Sequence, residues 1–199
     1  MTTDGLRSLF QARQRAAFVL IAAVAASLGF AASAAAAGVN VAASEELTEG
    51  GFEFIESTPA AVAFPATRIT GKNIVITKGQ PFNVSDARGT GAGWNITATS
   101  TVFKNGTHAL LSSATTVGSS PSDVCDAEAT CTPATDSITY PYTLPAGETM
   151  PTATKLFDAA ENSGMGNQTI TPTWSLTVPG NAYKGTYTAT WEFSLVSGP

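Results

Sequence analysis

Residues 171–199 alternate apolar and hydroxyl-bearing side chains with a period of two, the pattern of strands that bury one face and expose the other. Trp174, Leu176 and Val178 fall on one face, and Thr171, Thr173, Ser175 and Thr177 on the opposite one. After turn-forming residues at 179–185, Tyr187, Ala189, Trp191, Phe193 and Leu195 alternate with Thr186, Thr188, Thr190, Glu192 and Ser194. The spacing predicts a β-hairpin that closes the domain with its own C-terminal strand. A last strand with this much apolar surface must be packed, so whatever holds the protein at its place of work is expected inside the folded domain.

The preceding chain reads the same way. Short apolar or alternating runs at 52–55, 61–64, 74–77 and 82–85 are separated by Pro59, Pro65, Gly71 and Gly79-Gln80-Pro81. A longer strand is expected over 94–103, with Trp94, Ile96, Ala98 and Val102 on one face, then a turn at Lys104-Asn105-Gly106-Thr107 and a weaker strand over 109–117. Ile138, Tyr140, Tyr142 and Leu144 alternate as well, and Pro141 among them points to an edge strand. The one helical candidate, 153–162, has few apolar residues and runs into Ser163-Gly164-Met165-Gly166, so at most one or two turns are expected there. Many short strands without helices to cover them predict an all-β fold, a single β-sandwich or partly closed barrel closed by the C-terminal hairpin.

At the other end, Arg7, Arg13 and Arg15 precede the uncharged run 16–44, whose most apolar part is Phe18-Val19-Leu20-Ile21. A basic segment followed by a hydrophobic one is the order of an export signal, and Ala35 and Ala37 supply small residues before Gly38. Residues 1–37 are therefore expected to be a signal peptide of bacterial, alanine-rich style. The run is long enough to span a bilayer, but alanine is only weakly apolar, which favours removal over retention as an anchor. Residues 38–51, with Glu45, Glu46 and Glu49, are expected to be a flexible acidic leader or edge segment, and 52–199 a single β domain.

Loss of Asp4, Arg7, Arg13 and Arg15 with the signal would leave 14 of the 15 acidic and 7 of the 10 basic residues, a net charge of −7. That balance argues against nucleic acid or anionic lipid as a partner. Sparse charge with abundant Thr, Ser, Ala and Gly fits strands with one apolar and one hydroxyl-rich face.

In an exported chain, Cys125 and Cys131 read as a disulfide closing a small loop; no second cysteine pair or nearby histidine supports a metal or redox site. His108, the single histidine, sits beside the Asn105-Gly106 turn and reads as a solvent-exposed turn residue. Two carboxylates would suffice for a glycosidase, and Asp86, Asp158 and Glu192 are available, yet nothing in the sequence brings a pair to one cleft. The inventory points to a binding protein rather than an enzyme, with no cofactor and no metal.

The most distinctive local run is Asp86-Ala87-Arg88-Gly89-Thr90-Gly91-Ala92-Gly93-Trp94. Asp86 and Arg88 share a strand face, where an ion pair would brace the glycine-rich bend that delivers Trp94 to the next strand. The same run would also serve as a recognition loop, with Trp94 a flat platform for a sugar ring and the charged pair as hydrogen-bonding groups. Trp174 and Trp191 have apolar neighbours on their own faces and read as core residues.

This run resembles the first motif of the WxL domain, a surface module of Gram-positive bacteria, in which an aspartate–arginine turn leads to Gly-Trp-x-Leu; here Gly93-Trp94-Asn95-Ile96 follows Asp86-Ala87-Arg88. The family's second motif, Trp-x-Leu-x-x-x-Pro, has its counterpart in Phe193-Ser194-Leu195 with Pro199 at the same spacing. Trp174-Ser175-Leu176 spells the triplet literally but one strand too early. The resemblance implies a secreted, cell-wall-associated module that binds peptidoglycan or another wall glycan without covalent linkage, at times together with other surface proteins. It implies ligand-binding roles for Trp94, Asp86, Arg88, Phe193 and Leu195. A second expectation, of another class, is a structural or assembly protein that engages a surface partner through a strand edge or the acidic leader.

Overall fold

Two prolines organise the larger layer of the fold. The computed structural model describes residues 42–56 and 61–199, and Glu46–Pro199 form one compact unit. The expected signal peptide, 1–37, lies outside the described residues. Strand β1 (Phe52–Phe54) pairs with β3 (Phe82–Asp86), and β2 (Ile74–Gly79) leads into β3 through Gln80-Pro81. A partner path runs antiparallel: β12 (Gly166–Thr171) along β3 and β13 (Thr173–Val178) along β2, joined through Pro172. Both pairings keep one register, from Ile74 opposite Val178 to Asp86 opposite Gly166. The ladder is interrupted only where Pro81 and Pro172 lack donors, and the Gln80 N–H bridges the gap to the Pro172 carbonyl at 3.1 Å.

β7 (Thr115–Val117), β8 (Ser122–Cys125) and β9 (Tyr142–Thr143) complete this layer, β7 on β13, β8 on β12, and β9 at the edge of β7. Pro141 thus precedes an edge strand, as expected. The outward side is hydroxyl-rich: Thr77, Ser175, Thr116 and Thr143 stand in register across four strands.

The second layer is built on β4 (Trp94–Thr101). β14 (Trp191–Ser197) runs antiparallel along one edge; β11 (Thr154–Ala159) and then β10 (Ala146–Gly147) take the other. Trp94, Ile96 and Ala98 point into the core with no exposure. The opposite face of β4 is covered too, where the Thr99 hydroxyl donates to the Pro151 carbonyl at 2.7 Å. A small hairpin, β5 (Lys104–Asn105) and β6 (His108–Ala109), turns through Gly106 beside this layer. Between the layers lie Phe82, Val84, Trp94, Ile96, Leu144, Leu156, Phe157, Ile170 and Trp174. The result is an all-β, sandwich-like fold with no closed barrel.

The C-terminal hairpin is not formed. β13 sits between β2 and β7 in the first layer, β14 lies on β4 in the second, and the two meet face to face, with the Trp174 and Trp191 rings 4.9 Å apart. Alternation records only which face is buried, and two strands facing each other across a core alternate just as hairpin partners do. The connection 179–190 crosses from one layer to the other and is tied near its end by paired backbone bonds between Thr188 and Lys104, 2.9 Å each.

The helical candidate at 153–162 is instead β11. Its ladder shifts register between Lys155 and Phe157, so Leu156 and Phe157 are both buried though adjacent, and the period of two is lost. The run 61–64 forms no ladder, but Val62 and Phe64 pack on the core, Phe64 lying edge-on to Phe103 and Trp191.

Candidate functional site

Asp86, Arg88 and Trp94 are brought together with the end of the chain. Arg88 Nε and one terminal nitrogen donate to the two carboxylate oxygens of Asp86, both at 2.8 Å, the paired geometry that makes such contacts strong. The same terminal nitrogen reaches the Gly93 carbonyl at 3.1 Å, and the other donates to the Ser197 hydroxyl. The guanidinium carbon stands 3.9 Å from the centre of the Phe52 ring. One side chain, 15% exposed, therefore ties together β1, β3, the glycine-rich bend and β14, while the Asp86 carboxylate is almost wholly buried. The hydrogen bonds to Asp86 raise the Arg88 pKa, outweighing the opposing effect of burial. The chain end is held further by Gly198 N–H on the Gly93 carbonyl (3.0 Å) and by Asn95 Nδ2 on the Gly198 carbonyl (2.7 Å).

Glycine is required at two places around this knot. Gly93 has φ +69°, and a Cβ there would sit 2.4 Å from the Ala159 carbonyl oxygen. Gly164 has φ +72°, and its Cβ would lie 2.5 Å from the Trp94 indole nitrogen. That close approach lets the Trp94 N–H donate to the Gly164 carbonyl at 2.8 Å. Trp94 is 0% exposed, packed beside Phe157 with ring centres 5.8 Å apart. A platform for a sugar ring needs an open aromatic face, and Trp94 has none; that part of the expectation is corrected.

Phe193 and Leu195 lie on β14, opposite Ala98 and Ile96 of β4. Both are half-buried against the core, the Phe193 ring 4.8 Å from Phe82 and 6.2 Å from Trp174. The two motifs are thus neighbours through strand pairing, but Phe193 and Leu195 face inward rather than joining the Arg88 cluster.

The carboxylates considered for hydrolysis are engaged separately. Asp158, buried, accepts the Ser137 N–H (2.6 Å) and hydroxyl (2.7 Å). Glu192 is exposed. A polar knot missed from the sequence adjoins Asp158: Asp136 accepts the Ser120 hydroxyl at 2.7 Å, and the Tyr140 hydroxyl lies 2.9 Å from that carboxylate and 2.8 Å from the Leu156 carbonyl. Burial first, then the Asp136 carboxylate, pushes the Tyr140 phenol far above the ordinary range, and burial raises Tyr142 as well. Burial also raises Asp123, partly offset by the Ala134 N–H that it accepts.

Cys125 and Cys131 are bonded, with Cα atoms 5.6 Å apart. Among the described residues no cluster of three His, Cys, Asp or Glu side chains is placed to hold a metal ion. Nor is any helix there long and apolar enough to cross a membrane. His108 is not a free turn residue: it is half-buried, its ring stacked on Tyr183 with centres 3.6 Å apart.

No curated protein and no solved structure matches the chain. A family model, the WxL domain, described as surface cell wall-binding, matches residues 56–199, a span that includes Asp86, Arg88, Trp94 and all of β14. The chain belongs to the WxL family of cell wall-binding surface domains.

Proposed function

We propose that the protein is a secreted module that binds peptidoglycan without covalent linkage and without catalysis. The observation that carries this reading is the family match over 56–199. The in-register hydroxyl groups of Thr77, Ser175, Thr116 and Thr143 on the outer side of the first layer support a hydroxyl-rich glycan as ligand. Engagement of Asp86 by Arg88 and of Asp158 by Ser137 favours binding over hydrolysis. In this reading Asp86, Arg88, Trp94, Phe193 and Leu195 serve the wall contact by holding the scaffold rather than by touching the glycan. The Cys125–Cys131 bridge suits an oxidising exterior, as does a removed leader at 1–37.

A second reading is favoured by one observation: among the described residues β14 pairs on one edge only, with β4, and its other edge offers backbone donors and acceptors to a partner strand. That reading makes the protein an assembly component of the surface.

The test is sedimentation of the purified protein with protein-free peptidoglycan over a range of salt. Pelleting that persists at high salt is the expected result. Folded protein left in the supernatant would contradict the reading and direct the search to protein partners recovered from a surface extract.

A further inference from the structure

Tyr183 stands in the connection 179–190 with 62% of its surface exposed, and yet it is not loose. One face of its ring lies on His108 at 3.6 Å between centres and 11° between planes, leaving the other face to solvent. The segment beneath it is pinned on both sides. Asn105 Nδ2 donates to the Lys184 carbonyl at 3.1 Å, the Gly180 N–H donates to Asn73 Oδ1 at 3.1 Å, and the Ala182 N–H closes a turn on the Pro179 carbonyl at 3.0 Å. The backbone pair between Thr188 and Lys104 fixes the way out.

A rigid ring with one open face binds a flat partner with little ordering cost. The surroundings select the kind of partner. Exposed Lys184, Thr186 and Thr188 follow Tyr183 in the connection, and the ammonium of Lys104, whose backbone is bonded to Thr188, is paired with Glu148, so the surroundings are polar and carry one net charge, that of Lys184. A protein interface needs a broad apolar centre, which a single ring within a polar rim does not supply. A pyranose fits: its axial C–H groups carry slight positive charge and match the electron-rich face of the phenol, while its hydroxyls reach the rim.

We propose that Tyr183, supported from behind by His108, is a stacking subsite for one pyranose ring of a neutral wall polysaccharide. The proposal rests on the wall-binding reading above and gives it a point of contact. Tyr183 is the ligand-touching residue; His108 positions it.

The test titrates the purified protein with a soluble β-1,4-linked N-acetylglucosamine tetramer and follows the ring protons of Tyr183 and His108 by NMR. Saturable shifts at Tyr183 are expected. Tyr183→Ala should weaken binding about tenfold, while Tyr183→Phe, which keeps the face, stays near the wild type. Unchanged thermal unfolding of Tyr183→Ala keeps a folding defect from being mistaken for a binding one. Absence of shifts at Tyr183, or full binding by folded Tyr183→Ala, would overturn the subsite. Peptidoglycan sedimentation run alongside separates the two claims. Wild type that pellets while Tyr183 ignores the tetramer keeps the wall-binding reading and removes the subsite; a responding Tyr183 in protein that does not pellet does the reverse.

Discussion

Trp94 ends its one polar atom on the Gly164 carbonyl and otherwise touches only core, so its loss should register as stability. Trp94→Phe leaves that carbonyl unpaired and a small void, and should cost about 2 kcal/mol, read as the shift in urea midpoint multiplied by the m value. Asp86→Ala should cost about 3 kcal/mol by the same measurement, because Arg88 would be left in a largely enclosed place with its strongest partner gone. The pairing of Asp86 with Arg88 was legible in the sequence, although Arg88 makes it from the bend just beyond the end of β3 rather than from a shared strand face. Gly164 was not. Its part is played by a carbonyl and a missing Cβ, neither of which has a sequence signature beyond an ordinary glycine-rich stop.

The strand-forming runs were visible as alternation, and β2, β3, β4 and β13 begin where apolar and β-branched residues begin. What alternation could not convey is which strand pairs with which, and so β13 and β14 read as a hairpin although they face each other across the core. β11 was hidden for a related reason: its register shift puts Leu156 and Phe157 both inside, and neither period fits. The Cys125–Cys131 loop was legible because two closely spaced cysteines, with no second pair and no nearby histidine, have few other uses. The bridge ties the end of β8 to the segment packed against Gly166, where β12 already holds β8 by backbone bonds. Replacing both cysteines by serine should therefore lower stability by only about 2 kcal/mol and leave a folded domain, checked by circular dichroism through a thermal scan.

The sandwich closes over two phenols, Tyr140 and Tyr142, whose pKa values are both raised. Such a group favours the folded state in full below its unfolded value, about 10, and the contribution is lost as pH climbs above that, because the unfolded chain ionises first. Stability should be flat toward neutral pH and fall above about pH 10; Tyr140→Phe should have a shallower fall over the same range in urea titrations. Family motifs whose side chains point inward fit the proposed scaffold role, in which other surface residues meet the wall. The measurement to make is the fraction of folded protein that pellets with peptidoglycan for wild type and Trp94→Phe, at a temperature where both are fully folded. Equal fractions are expected, with the variant differing only in its unfolding midpoint. Folded Trp94→Phe that stays in the supernatant while the wild type pellets would place Trp94 in the contact itself and contradict a scaffold role.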